Sequence, residues 1–187
     1  MFDGLLEMYL EILRVICESL GDIVSIIRFS DDMGMSGSTL FSRDIYQKLI
    51  KPYHKRIYGY VHEHSNAKVL LHSCGSVYNF IPDLIDAGVD ILNPVQIVAA
   101  NMSPSKLKNE FGKDLVFWGG GCDISQVLPY GAPAEIREHV LRNMEIWAPG
   151  GGFVFAPSHN ILAEVPPQNI LAMYNAYFEF NGQNKRV

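Results

Sequence analysis

His72-Ser73-Cys74-Gly75 directly follows the apolar run Val69-Leu70-Leu71. A short apolar run giving way to polar residues reads as a buried strand opening into a loop. Along an extended backbone residues i and i+2 face the same side, so His72 and Cys74 present an imidazole and a thiol to one point. Those are ligand types that zinc prefers. A second apolar run, Phe153-Val154-Phe155, leads into Ala156-Pro157-Ser158-His159-Asn160. If both runs belong to one parallel sheet, His159 joins the pair on the same rim as a third donor. A His-x-Cys pair in a cytosolic chain also serves structural ends, and what points to a metal is its placement where strands hand over to helices.

Other polar residues fall at comparable places. Asp31-Asp32 follows Ile23–Phe29, Asn93 and Gln96 follow Asp90-Ile91-Leu92, and Cys122-Asp123 follows Leu115–Trp118 and three glycines. Asp31 and Asp32 are candidates to orient a metal-bound group, ligate or shuttle a proton, or else they cap their loop. Asn93 and Gln96 are candidate substrate contacts, or simply satisfy loop backbone. Cys122 and Asp123 could meet a ligand where Gly119-Gly120-Gly121 lets the backbone come close, or could fill a tight βα loop. His54, His62, His64 and His139 lie among charged residues on helical stretches and read as surface residues. Cys17 sits on an apolar helix face as a small hydrophobe.

The elements that must position these residues alternate. Helical spacing runs from Leu5 to Cys17, closed by Gly21, and again from about Ser42 to Val61 with Pro52 inside it as a kink or a restart. A helix over Val77–Ala87 ends at Gly88, Ser103-Pro104 and Pro133 open two more, and Pro166-Pro167 opens the last. Five short apolar strands separate them, predicting an α/β chain with a parallel sheet of βαβ units. No glycine-rich dinucleotide fingerprint opens any helix. Polar residues after almost every strand favour a (β/α)8 barrel, whose chemistry lies at that rim, over an open sheet. Five strands are too few for a closed barrel. The expectation is therefore one domain over 1–187, a partial TIM barrel that lacks its first strands and pairs with itself or with a chain carrying the other half.

Composition sets the class. The 187 residues are 48% hydrophobic and 19% charged with a formal net charge of −5, which describes a globular chain and disfavours nucleic acid as a partner. Three cysteines form no paired framework, no signal peptide is visible and no apolar run approaches a membrane span, so a cytoplasmic protein is expected.

Five stretches together resemble the uroporphyrinogen decarboxylase superfamily in order and spacing. They are Ile26–Gly34, His72–Gly75, Ile91–Gln96, Gly119–Asp123 and Ala156–Asn160. The similarity spans nearly the whole chain and corresponds to the C-terminal half of the family's barrel. That superfamily includes the zinc-dependent methylcobamide:coenzyme M methyltransferases, which bind zinc through a His-x-Cys pair and a later cysteine. The resemblance places His72 and Cys74 at the pair and His159 at the later cysteine, an exchange that leaves the site net positive. It implies methyl transfer between a small methylated substrate or thiol and a corrinoid carried by a partner protein, with Asp31, Asp32 and His159 as candidate catalytic groups. The alternative branch is the decarboxylase itself, which is cofactor-free and acts on a tetrapyrrole. There the late histidine matches His159, whereas Asp31 stands where that branch has serine and Ser73-Cys74-Gly75 where it has Lys-Asp-Gly. A third possibility is a non-catalytic half-barrel that needs a partner chain.

Overall fold

A computed structural model of the chain describes residues 2–182. Five parallel strands follow one another in chain order, alternating with helices. The described residues fall into two compact units that divide between Asn93 and Pro94.

In the first unit α1 (Phe2–Leu20) leads to β1 (Ile26–Ser30), then to α2 (Arg43–Ile45), a π-helical turn (Tyr46–Ile50) and α3 (Lys51–His64). Next come β2 (Lys68–His72), a 3-10 turn (Tyr78–Phe80), α4 (Ile81–Ala87) and β3 (Ile91–Asn93). β2 pairs with β1 on one side and β3 on the other, which places Ser30, His72 and Asn93 in register at their C-terminal ends. Val69, Leu70 and Leu71 are all buried, as a central parallel strand covered on both faces requires. Leu6 and Leu13 of α1, Ile57, Tyr58 and Val61 of α3, and Phe80, Ile81 and Leu84 around α4 fill the core.

β1 begins three residues later than the apolar run predicts. The N–H groups of Ile23 and Val24 both donate to the Leu20 carbonyl at 2.9 Å, so they finish α1 instead, and the Ile23 side chain is exposed. The expected kink near Pro52 is the π turn. Ser42 caps α2 by accepting from the Ile45 N–H at 3.3 Å, and the ladder widens over Tyr46–Ile50 so that α3 restarts with Pro52 in its first turn. Gly88 ends α4 in the left-handed conformation, as expected.

In the second unit α5 (Pro104–Phe111) precedes β4 (Val116–Trp118), followed by α6 (Val127–Tyr130), α7 (Pro133–Trp147), β5 (Phe153–Val154) and α8 (Pro167–Phe180). β4 and β5 pair in parallel, Phe117 beside Phe153. Trp147 is buried against both rings, at centroid distances of 4.9 and 5.3 Å, and donates its indole N–H to the Gly120 carbonyl at 3.3 Å. α7 and α8 pack on each other over Ile136, Val140, Met144, Met173 and Ala176. The short α6 has no counterpart in the sequence reading, because its four residues are too few to show a period.

Candidate functional site

In the first unit the site is built where the loops after β1 and β2 meet. Two glycines permit that meeting. A Cβ on Gly34 would lie 2.6 Å from the Cys74 carbonyl oxygen, and one on Gly75, whose φ is +78°, would lie 2.5 Å from the Gly34 carbonyl carbon. Only bare backbone fits on either side, so the loops lie against each other. Ser76 N–H donates to the Met35 carbonyl at 2.8 Å, and Met33 N–H to the buried Ser73 hydroxyl at 3.1 Å. This contact delivers Asp32 to Cys74, whose N–H donates to Asp32 Oδ1 at 2.8 Å.

The His72 ring is held at both nitrogens. Nδ1 lies 2.7 Å from Asn93 Oδ1, its register neighbour on β3, and Nε2 lies 3.6 Å from Cys74 Sγ. An amide oxygen only accepts, so the ring proton belongs on Nδ1 and the ring's lone pair on Nε2 points to the thiol side. A Zn–N bond of roughly 2.05 Å and a Zn–S bond of roughly 2.3 Å at the tetrahedral angle set N and S about 3.6 Å apart. The His72–Cys74 separation therefore fits one edge of a zinc tetrahedron. Burial pushes the Cys74 thiol up to about 11, and Asp32 adds to the shift by its charge and by accepting the thiol's hydrogen bond.

Asp31 and Asp32 part company. Ser30 is the last residue in register with His72, and the alternation beyond it sends the two carboxylates different ways. Asp32 joins Cys74. Asp31 instead binds His54 Nε2 at 3.0 Å, and His54 Nδ1 meets the Tyr46 hydroxyl at 3.1 Å. Asp31 accepts the Nε2 proton, which leaves Nδ1 to accept from the phenol of a neutral ring. Burial, with the charges of Asp83 and Asp31, holds the Tyr46 hydroxyl well above the usual phenol range, so it stays a donor. The expectation that His54 is a surface residue fails, since it is 7% exposed and packs against Tyr58. His54 lies three and four residues before the buried Ile57 and Tyr58, a spacing that marks the inner helix face. The neighbouring Lys51, Lys55 and Arg56 masked it.

In the second unit Cys122 and Asp123 are both buried. Cys122 is fully buried, its thiol directed at the Asp123 carbonyl and pushed up by burial to about 12. Burial alone would raise the Asp123 carboxyl, but hydrogen bonds from Ser125, Val127 and Gln126 outweigh it and hold the group below the usual range. Those donors, at 2.8–3.3 Å, engage both carboxylate oxygens in the loop that leads into α6. His139, expected at the surface, is half-buried, and its Nε2 accepts from Asp123 N–H at 3.1 Å and from the Asn143 amide at 3.0 Å. Burial lowers its pKa. The loop that carries His159 is pinned one residue earlier, where buried Ser158 donates its N–H and hydroxyl to the Cys122 carbonyl at 2.9 and 3.0 Å. Cys122 thus serves the loop through its backbone. His159 itself is half-buried, and so is Gln96, whose carbonyl accepts from Ala99 N–H in a turn. His62 and His64 are exposed, and Cys17 is buried, as expected.

No helix among the described residues is long and apolar enough to cross a membrane. No curated protein matches the sequence. Among solved structures, a methyltransferase from Methanosarcina mazei aligns with a TM-score of 0.69 at 22% identity, over 94% of this chain and 47% of that one. The chain thus spans about half the length of that structure, and the likeness shows the fold, a partial (β/α)8 barrel as the strand pattern predicts. The family model for uroporphyrinogen decarboxylase matches residues 1–180, and by that match the chain belongs to the uroporphyrinogen decarboxylase family.

Proposed function

We propose that this chain carries the zinc-binding part of a methyltransferase that moves a methyl group between a small methylated substrate or thiol and a corrinoid on a partner protein. His72, Cys74 and His159 are the proposed ligands, each offering one donor atom of a kind zinc takes. The observation that carries the reading is the His72–Cys74 pair. Its 3.6 Å separation matches a tetrahedral edge, and the other ring nitrogen lies 2.7 Å from Asn93 Oδ1. The methyltransferase likeness of the fold supports the same branch.

Two imidazoles and one thiolate would leave such a centre with a net positive charge. When bound, zinc would supply Lewis acidity toward a substrate thiol or methoxyl oxygen at a fourth, open position. The chain's own groups set up that chemistry. Asp32 accepts the Cys74 hydrogen bond and is placed to receive the proton that the thiol gives up on ligation. Asp31, engaged by His54, anchors the neighbouring backbone, and its N–H donates to the His72 carbonyl at 2.9 Å. A cytoplasmic setting goes with this proposal, because Cys17, Cys74 and Cys122 are all free thiols.

Metal analysis tests the reading. One zinc per chain is expected, with binding abolished in Cys74→Ala and weakened in His159→Ala. Substitution by cobalt(II) should give a thiolate-to-metal absorption band that Cys74→Ala lacks. A chain that refolds in the presence of zinc and stays metal-free refutes it and leaves the cofactor-free decarboxylase branch and the non-catalytic half-barrel.

A specific observation also favours a partner for the assembly. α1 buries Leu6, Leu13 and Cys17 on one face yet exposes Leu5, Met8, Ile12 and Val15 on another. Beside it lies an apolar groove of about 530 Å³ between α1, β1 and α3, and among the described residues β1 pairs on one side only. We propose that polypeptide equivalent to the unmatched half of the methyltransferase covers this face and continues the sheet beyond β1.

A further inference from the structure

We propose that Asn93 is the positioning residue of His72: its side-chain oxygen fixes the ring in the Nδ1–H tautomer and so makes Nε2 the nitrogen that binds metal. The inference rests on the zinc reading for its purpose, but its chemistry stands in the metal-free chain.

Parallel pairing of β2 with β3 sets His72 beside Asn93 in the same register row. Side chains in one row stand on one face of the sheet. The backbone below them is tied down, because Ser73 N–H donates to the Asn93 carbonyl at 2.8 Å and Asp31 N–H to the His72 carbonyl at 2.9 Å. The Nδ1–Oδ1 distance of 2.7 Å is that of a strong hydrogen bond. A neutral imidazole has one donor and one acceptor nitrogen, and which is which follows from the partner that one of them finds. With the proton held on Nδ1, the unprotonated Nε2 is the atom 3.6 Å from Cys74 Sγ.

Left to itself an imidazole favours the opposite tautomer, with the proton on Nε2. That form turns an N–H toward the thiol and offers no lone pair to a cation there. An outer partner of a metal-binding histidine typically changes metal affinity by 10- to 100-fold. Asparagine differs from a carboxylate in doing this without charge. Asp32 already places one carboxylate against Cys74, so a neutral Asn93 keeps a bound cation from being over-neutralised.

The experiment has two readouts on the 187-residue chain. The first is the His72 tautomer in metal-free protein, read from long-range 15N–1H correlations of the ring. Nδ1–H is expected in the wild type and in Asn93→Asp, and Nε2–H in Asn93→Leu. The second is zinc affinity by competition with a chromophoric chelator. Asn93→Leu should bind roughly 10- to 100-fold more weakly, whereas Asn93→Asp should stay close to the wild type because it keeps the acceptor. A wild-type His72 found in the Nε2–H form, or an Asn93→Leu chain that binds zinc as the wild type does, overturns the proposal. A wild type with the Nδ1–H form that binds no zinc refutes the zinc reading alone, and the tautomer assignment then stands by itself.

Discussion

Asp83→Asn should destabilise the first unit by about 2–3 kcal/mol at neutral pH, and the loss should fade in acid. Asp83 on α4 is 3% exposed and gathers three donors from the segment that carries His54. Arg43 Nε reaches it at 2.5 Å, Gln47 Nε2 at 2.9 Å and Lys51 Nζ at 2.7 Å. These come from α2, the π turn and the start of α3, so a single carboxylate ties down the whole irregular stretch. Burial alone would raise its pKa, but the bonds from Arg43, Lys51 and Gln47 win and hold it at about 2, against an ordinary 3.8. A depression from 3.8 to about 2 is worth about 2–3 kcal/mol. The sign follows from the direction. A carboxylate with a depressed folded pKa stabilises fully above its unfolded value and loses that contribution as pH falls through the folded one, leaving about half near pH 3. Asparagine keeps an acceptor but not the charge, and the partly solvated Arg43 and Lys51 turn to water. Urea unfolding of both chains at pH 7 and in steps down to pH 3 measures the difference. A gap below about 0.5 kcal/mol at pH 7, or one that does not narrow in acid, refutes the reasoning.

Two further outcomes test the site and the open face. In metal-free protein Cys74 should alkylate about 100-fold more slowly at pH 8 than a free thiol of pKa 9, with a rate that climbs until about pH 11. Asp32→Asn should move that midpoint down part of the way, because burial remains, and a Cys74 as reactive as a free thiol at pH 8 would contradict both its burial and the Asp32 contact. Ile12→Glu should reduce concentration-dependent self-association or co-sedimentation with the complementary half-barrel while leaving the far-UV circular dichroism unchanged. Destabilisation by more than about 1 kcal/mol would instead place Ile12 in the core, against its exposure of 47%.

The sequence showed most clearly what depends on neighbours in the chain. Val69-Leu70-Leu71 before His72 marks a central strand from three residues alone, and Gly88 marks the end of α4 by its backbone freedom. His72 and Cys74 could be paired from alternation, without knowledge of the fold. What stayed hidden depends on register or lay among charged neighbours. Asn93 looked like a rim contact because its partnership with His72 exists only once β2 and β3 align, and that alignment is set by the helix and loops between them. His54 looked solvated because the charged Lys51, Lys55 and Arg56 around it hid the helical spacing that sets it with the buried Ile57 and Tyr58.

Asp31 and Asp32 carry the lesson furthest. As adjacent residues of one type they read as a single acidic motif, yet a period of two sends one to the helix layer and the other to the thiol. A motif at a strand end is therefore two half-motifs with different neighbours. At such places chemistry belongs to the residue that shares the face of the donor pair. By that rule Asp32, whose side chain accepts from Cys74 N–H, faces the His72–Cys74 pair with Asn93 across the row, and Asp31 meets it through its own N–H on the His72 carbonyl.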